Sequence, residues 1–357
     1  MVKKLLIISS ILLLWGLFTL GTASFPLSQQ NFNSPWNYLI HQLSLIAIGL
    51  VFFLFFFKIK KEKLKQIAPY LFLFNLFLLI LVFLPKIGME SKGASRWLDL
   101  GFFSLQPSEF LKITFILYLA AWLSGRTKKN KNWKETLLPF IIMLLVLVLI
   151  LIFQPDMTTL AIIFIIGVLM YFFAPTPLWH TLAVIGGAVV TFGLFILTKP
   201  YRLQRLTTFL NPEADPLGKG YQVKQAAISL GSGKTFGIGL GFSRQKFGFL
   251  PEAITDSIFA IVGEELGFLG CLILLSLFLS FCFLGLKLAL KNKETFSGFV
   301  ALGITVWICL QALLNIAGIV GIMPLGGIPL PFFSYGGSHI IAELIGLGIL
   351  LNIAKNT

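Results

Sequence analysis

Apolar runs of membrane-crossing length recur along the chain, and polar residues gather in the intervals between them. The runs 137–153 and 296–320 hold no charged residue. At ~1.5 Å per residue, a helix of that length reaches across about 30 Å of hydrocarbon. The pattern predicts ten spans: 5–20, 38–57, 67–84, 109–123, 137–153, 159–173, 182–197, 257–286, 296–320 and 338–354. The least obvious division is at Phe153-Gln154-Pro155-Asp156. A proline among polar residues ends one helix there before the next begins. The expected fold class is all-α: one integral-membrane domain over 1–357, with about ten transmembrane helices. Its two halves show no self-similarity of the kind that marks an inverted-repeat transporter. The start, Lys3-Lys4 followed by 5–20, has the form of a signal peptide ending near Thr22-Ala23-Ser24. With so many spans following, an uncleaved first helix is expected.

Composition agrees with this reading: the chain is 57% hydrophobic and 12% charged. The formal net charge of +14 would suggest nucleic acid in a soluble protein. Here the basic residues lie mostly in short loops, so they speak of orientation and anionic lipid, and no nucleic-acid partner is expected. Lys58, Lys60, Lys61, Lys63 and Lys65 flank one such loop. Arg126, Lys128, Lys129, Lys131 and Lys134 flank a second, and Lys287, Lys291 and Lys293 a third. With ten spans all three fall on the side of the N-terminus, which the positive-inside rule makes cytoplasmic. Both termini are then inside. The large loop between spans 7 and 8 lies outside and is also basic, with Lys199, Arg202, Arg205, Lys219, Lys224, Lys234, Arg244 and Lys246. Long loops cross despite their charge. An outward basic surface beside the bilayer suits an anionic ligand such as a lipid-linked phosphate. Cys271, Cys282 and Cys309 fall inside apolar runs and read as small core residues. His41, His180 and His339 are scattered, without metal-ligand spacing.

Several polar positions invite a chemical reading. The stretch "GSGKT" at 231–235 resembles the end of a phosphate-binding loop. Ile228 stands where that loop needs a glycine, and no strand precedes it, so nucleotide binding is rejected. Its glycines suit a closely packed loop. Glu109 and Lys112 are three apart on one helix face, as a neutralising pair or as the wall of a polar cavity. Glu264 and Glu265 are adjacent and point about 100° apart, so they read as internal polar packing bonded to another helix, and Glu343 reads likewise. Asp256 stands at the mouth of the eighth span. From position alone, it or Thr255 caps the helix that follows. Trp97, next to Arg96, suits an interfacial anchor or a sugar-stacking platform.

Four segments together resemble the SEDS family (shape, elongation, division and sporulation), which includes FtsW, RodA and SpoVE. They are "GASRWLDLGFFSLQPSEFLKI" (93–113), "QPDMTT" (154–159), "GLGFSRQKFGFLPEAITDSIFAIVGEELGFLG" (239–270) and "GIPLPFFSYGGS" (327–338). The wording "SRQK…LPEA" is closer to FtsW than to RodA. The resemblance implies a ten-span peptidoglycan glycosyltransferase of the bacterial cytoplasmic membrane. Such enzymes polymerise lipid II, an undecaprenyl-diphosphate-linked disaccharide pentapeptide, on the outer face. They work beside a class B penicillin-binding protein, among other membrane proteins of division or elongation. The family's essential aspartate maps onto Asp256, its Arg-Trp pair onto Arg96 and Trp97, and its cavity Glu–Lys pair onto Glu109 and Lys112. Ile254 stands where a His is common, Lys234 where Gly-Gly is usual, Thr158 where a Gly is usual, and His339 where a second Ser is usual.

The chemistry implied is attack of a sugar hydroxyl on an anomeric carbon, with a lipid diphosphate leaving. Asp256 is the expected general base, in a single inverting displacement. Fixed cations would stabilise the leaving diphosphate. The candidates are Arg96, Arg202, Arg205, Arg244 and Lys246, with Arg244 and Lys246 favoured for nearness in sequence. A divalent ion such as Mg2+ could share that task, although no ligand cluster for it is visible. Glu252 is expected to assist Asp256 or to position its loop. Two other readings stay open: a lipid II flippase with Glu109, Lys112, Glu264 and Glu265 along its path, and a non-catalytic scaffold for the penicillin-binding protein.

Overall fold

The computed structural model describes residues 1–357 apart from 85–87, 92–93, 100, 102–103, 126–131, 198–206, 212, 214 and 216–217. Before the long loop it holds helices α1 (Val2–Phe32), α2 (Asn37–Lys58), α3 (Lys61–Leu81), α4 (Pro107–Ser124), α5 (Leu137–Phe153), α6 (Met157–Phe173) and α7 (Leu178–Leu197). Four more follow: α8 (Lys219–Ser232), α9 (Ile258–Lys291), α10 (Phe296–Ile319) and α11 (Gly337–Lys355). Among the described residues, α1, α2, α3, α9, α10 and α11 are long and apolar enough to cross a membrane, and α5, α6 and α7 are shorter apolar helices. Each predicted span falls on one of these helices or on α4. The chain is a mostly helical, polytopic membrane protein.

Local chemistry explains several boundaries. Pro107 opens α4, where its missing N–H costs nothing and its fixed φ suits a first turn. Asp156 caps α6 by accepting from Thr159 N–H at 3.2 Å, and Thr295 caps α10 by accepting from Gly298 N–H at 3.1 Å. The predicted break at Pro155 stands between α5 and α6, with Pro155 at φ 24°. Three expectations on extent are corrected. Helix α1 runs on through Pro26 to Phe32, well beyond position 20. The stretch 88–105, expected as loop, pairs as an antiparallel sheet of β1 (Gly88–Ser91), β2 (Ala94–Asp99) and β3 (Ser104–Leu105). The eighth span is interrupted.

That interruption is at Gly267, whose φ of 67° and ψ of −164° no helix contains. A Cβ there would fall 2.3 Å from Gly237 N and 2.7 Å from the Thr235 carbonyl, so only glycine fits. The backbone groups freed by the break find partners in the segment after α8. Ile238 and Gly239 N–H donate to the Glu264 and Glu265 carbonyls at 3.0 and 3.1 Å. In return, Phe268 and Leu269 N–H donate to the Lys234 and Thr235 carbonyls at 2.9 and 3.1 Å. Irregular backbone at membrane depth persists only where protein satisfies it in this way. Of the "GSGKT" glycines, Gly233 is closely packed against the Gly263 carbonyl, while Gly231 faces open space. Lys234, however, carries a side chain at φ 47°. Lys234→Gly is expected to stabilise the chain by about 1 kcal/mol by removing a left-handed Cβ, read as a higher midpoint of thermal unfolding in detergent.

Helices α4, α10 and α11 form the middle of the bundle, and α11 is almost wholly buried. Helices α2, α3, α6 and α9 pack around them, and α1 packs on α9. One end of the bundle collects basic loops: Asn352 Nδ2 donates to the Phe56 and Ile59 carbonyls, and Lys291 Nζ to the Thr357 carbonyl. The opposite end collects the loops around Arg96, Gln154, Asp256 and Tyr335.

Candidate active site around Asp256

Asp256 lies in a tight turn, 251–257, just before α9. The capping expectation for it does not hold, because the N-cap of α9 is Ser257 and no side-chain capping bond is made there. The Ser257 hydroxyl turns back to the Pro251 carbonyl at 2.9 Å. The Asp256 carboxylate instead faces the loop joining α10 to α11. A Cβ built on Gly327, at φ 66°, would lie 3.5 Å from Asp256 Oδ2. The positive φ favours glycine there, and the loop passes within van der Waals reach of the acid.

The two loops are clasped through the backbone. Tyr335 N–H donates to the Ile254 carbonyl at 2.8 Å, and the Ser334 hydroxyl to the Thr255 carbonyl at 2.6 Å. Asn315 Nδ2, near the end of α10, donates to both the Asp256 carbonyl (2.8 Å) and the Ile328 carbonyl (2.7 Å). Asp256 is therefore half-buried on a turn fixed from three sides. Glu252 is exposed at φ 53°. Its side chain accepts from the Thr255 hydroxyl at 2.8 Å, and its carbonyl from Thr255 and Ser257 N–H. Its geometry is that of a residue shaping the turn.

A cavity of about 650 Å3 opens beside this turn, within the roughly 300–1,000 Å3 usual for small-molecule sites. Gln30, Tyr38, Glu252, Thr255 and Tyr335 line it, but Asp256 does not. The Tyr335 hydroxyl lies 2.9 Å from His41 Nδ1, and its ring meets Tyr38 edge-on at 5.0 Å. Burial, with the Tyr38 phenol nearby, pushes Tyr335 up to about 12. Its hydroxyl therefore keeps its proton and stays a donor.

The cations divide. Arg244 is exposed, while its backbone N–H is gripped by Glu264 Oε1 at 3.0 Å. Lys246, favoured from the sequence as its companion toward a diphosphate, is 7% exposed. Its ammonium is committed to Glu265 Oε1 at 3.3 Å and to the Gly241 carbonyl at 2.6 Å. That ammonium is thus already paired, while Lys246 also lines the cavity beside the Asp256 turn. Arg96 donates from Nε to the Gln154 carbonyl at 3.0 Å and from Nη2 to the Pro155 carbonyl. It thus ties strand β2 to the α5–α6 turn. Trp97 lies beside it on β2, partly buried. Arg202 and Arg205 lie outside the described residues.

Glu264 and Glu265 are internal, both 2% exposed. Glu264 accepts from the Ser229 hydroxyl on α8 at 3.2 Å, from the Ser243 hydroxyl and from Arg244 N–H. The pair thus holds the 243–246 segment in place. Glu264→Ala is expected to loosen that segment by about 2–3 kcal/mol, since hydrogen bonds to a charged group are lost inside protein. Trypsin cleavage after Arg244 should then be faster than in the parent chain, with mass spectrometry of the fragments as the measurement.

Glu109 and Lys112 pair at 2.7 Å, 5% and 1% exposed. Lys112 Nζ also donates to Gln311 Oε1 at 2.8 Å and lies 5.2 Å from the centre of the Trp307 ring. Gln311 in turn takes the Trp307 indole N–H at 2.9 Å and donates to the Pro329 carbonyl at 3.1 Å. The pair thereby supports the loop that faces Asp256. Glu343, wholly buried on α11, supports the same loop by accepting from Phe332 N–H at 2.9 Å. Among the described residues no three His, Cys, Asp or Glu side chains gather to hold a metal ion.

A family model described as "cell cycle protein", for FtsW, RodA and SpoVE, matches residues 3–357. The chain belongs to the SEDS family. Among curated relatives, stage V sporulation protein E of Bacillus subtilis (strain 168) is 37% identical, over 98% of this chain and 96% of that one. The probable peptidoglycan glycosyltransferase FtsW of Coxiella burnetii (strain RSA 493 / Nine Mile phase I) is 39% identical, over 97% and 94%. Among solved structures, a chain from a study of polymerisation and crosslinking by a peptidoglycan synthase complex superposes with a TM-score of 0.80, at 27% identity, covering 99% of this chain and 97% of that one. The rod shape determining protein RodA of Thermus thermophilus gives 0.72, at 25% identity, covering 99% and 96%.

Three of the departures from the SEDS pattern have visible consequences. The Thr158 hydroxyl, in place of a glycine, donates to the Gly326 carbonyl at 2.8 Å and adds a clasp to the loop facing Asp256. Ile254, in place of a histidine, puts a buried apolar side chain beside the turn. His339 is buried with Nε2 3.0 Å from the Ser334 carbonyl. Sequence reasoning did not single out Asn315, Gln311, Tyr335 or His41. Asn315 and Gln311 carried a readable signal, two polar residues one helical turn apart within an apolar run.

Proposed function

We propose that this SEDS chain, whose FtsW relatives are named probable peptidoglycan glycosyltransferases, polymerises lipid II at the extracytoplasmic face of the bacterial cytoplasmic membrane in cell division. The observation that carries the reading is the Asp256 carboxylate: half-buried, on a turn whose backbone is tied to α10 and to the loop before α11, and facing that loop at Gly327. Such an acid is preorganised to take a proton from an incoming sugar hydroxyl. The cavity lined by Tyr38, Tyr335, Gln30 and Thr255 offers aromatic faces and hydroxyl or amide partners for that sugar. As the hydroxyl attacks the anomeric carbon, the bond to the lipid diphosphate breaks and charge gathers on its oxygens. The exposed Arg244, on a segment fixed by Glu264, is the cation suited to meet it. One displacement inverts the centre without a covalent intermediate.

Basic loops at the far end of the bundle agree with a cytoplasmic placement for that end and for both termini. A class B penicillin-binding protein is the proposed partner, consistent with likeness to a chain from a peptidoglycan synthase complex. The flippase reading needs Glu109, Lys112, Glu264 and Glu265 along one path. They form two clusters with separate partners instead, Gln311 and Trp307 for the first, Ser229 and the 243–246 segment for the second. This counts against a transport route. The deciding experiment gives lipid II in detergent to the purified chain together with a partner whose transpeptidase is inactivated. Glycan strands are expected. Absence of strands with transbilayer movement in vesicles would favour the flippase, and absence of both the scaffold.

A further inference from the structure

Between α8 and the Asp256 turn the chain presents a row of large apolar side chains to the outside. Phe236 is 78% exposed, Phe242 72%, Phe247 63%, Phe249 56%, Leu240 50% and Ile238 39%. This is not a loose loop. Its first part is hydrogen-bonded to both sides of the α9 break, and its later part is gripped by Glu264 and Glu265 through Ser243, Arg244 and Lys246. The intervening Gly237, Gly239 and Gly241 all turn through positive φ, between 81° and 108°. The exposure is therefore built in. In water a contiguous apolar surface of this kind would be a liability unless covered.

The neighbourhood says what covers it. Lys234 and Thr235 carbonyls receive the N–H groups of Phe268 and Leu269, so the row starts directly against the first turn of α9 beyond its break. From there α9 exposes Phe268, Leu269, Leu272, Ile273 and Leu279 as a membrane-spanning helix does toward lipid. The apolar row continues that lipid-facing surface. Two exposed cations, Lys234 and Arg244, lie at one end of it and within it. Long basic side chains reach from apolar surroundings to anionic headgroups.

We infer that the segment 234–249 is seated in the bilayer, with Phe236, Phe242, Phe249 and the aliphatic side chains among lipid acyl chains, Phe247 turned to the cavity beside the Asp256 turn, and Lys234 and Arg244 at the level of the lipid phosphates. A shallow re-entrant seat of this kind satisfies its own backbone through the α9 break, as hydrocarbon requires. One consequence rests on the proposed function: Arg244 would meet a lipid-linked diphosphate at the depth where lipid phosphates already lie. The seating itself does not depend on that reading.

The test uses the unaltered chain in vesicles of phosphatidylethanolamine and phosphatidylglycerol, doped with a phospholipid bearing a photoreactive diazirine within its acyl chain. After irradiation, adducts are mapped by mass spectrometry, and a parallel sample is footprinted with hydroxyl radicals from the aqueous phase. Acyl adducts on 236–249 at a yield comparable to those on the exposed face of α9, with little radical oxidation of Phe236 and Phe242, are expected. Strong oxidation of those residues without acyl adducts would overturn the inference. So would protection from both reagents, which would mean that protein covers the row. The readout stands whether or not the chain polymerises lipid II.

Discussion

Lys112→Met is expected to lower stability by about 3–5 kcal/mol, the usual cost of removing one member of a buried ion pair. The ammonium lies 2.7 Å from Glu109 Oε2 and 2.8 Å from Gln311 Oε1 at 1% exposure. Methionine fills much of the same volume but donates nothing. It leaves the Glu109 carboxylate buried without its cation, while Gln311 keeps only the Trp307 indole N–H on that oxygen. Adding Glu109→Gln to Lys112→Met removes the stranded charge and should restore a large part of the loss. The measurement is a double-mutant cycle on thermal unfolding in detergent, and strong non-additivity is the expected outcome. Purely additive effects would show that the two residues act separately. Because Gln311 also holds the Pro329 carbonyl, the single variant should in addition weaken the loop that faces Asp256.

The spans were legible because a run of some twenty apolar residues has few alternatives to a membrane helix. Pro155 marked the α5–α6 break for the same local reason. The break in α9 was not legible. Gly267 is one of several glycines in that run, and its conformation is imposed by the 234–239 backbone lying against it. The small sheet at 88–105 escaped because β3 has two residues and β1 four, too few to display a period. At the site, Glu264 and Glu265 are buried, and Ser229 on α8 is one partner of Glu264. Nearness of Lys246 to Asp256 in sequence did not foretell that its ammonium pairs with Glu265. The clasp of Asp256 by Asn315, Ser334 and Tyr335 joins residues roughly sixty to eighty positions apart and follows from tertiary packing alone.

Asp256→Asn is expected to slow strand formation by about 10²–10⁴-fold, the usual contribution of a positioned base. The substitution keeps the size of the side chain beside Gly327. It leaves untouched the backbone contacts through which Asn315 binds the Asp256 carbonyl and Ser334 and Tyr335 bind the carbonyls of Thr255 and Ile254. An amide cannot accept the hydroxyl proton as the sugar attacks. The loss should therefore fall on turnover, with substrate affinity and the midpoint of thermal unfolding close to those of the parent chain.

The most direct measurement is a time course of glycan-strand formation from labelled lipid II, with parent and Asp256→Asn chains each paired with the same transpeptidase-inactive partner. Strands should accumulate with the parent chain and be all but absent with the variant, although both fold equally well. Strands built by the variant at the parental rate would contradict the assignment of Asp256 as the base.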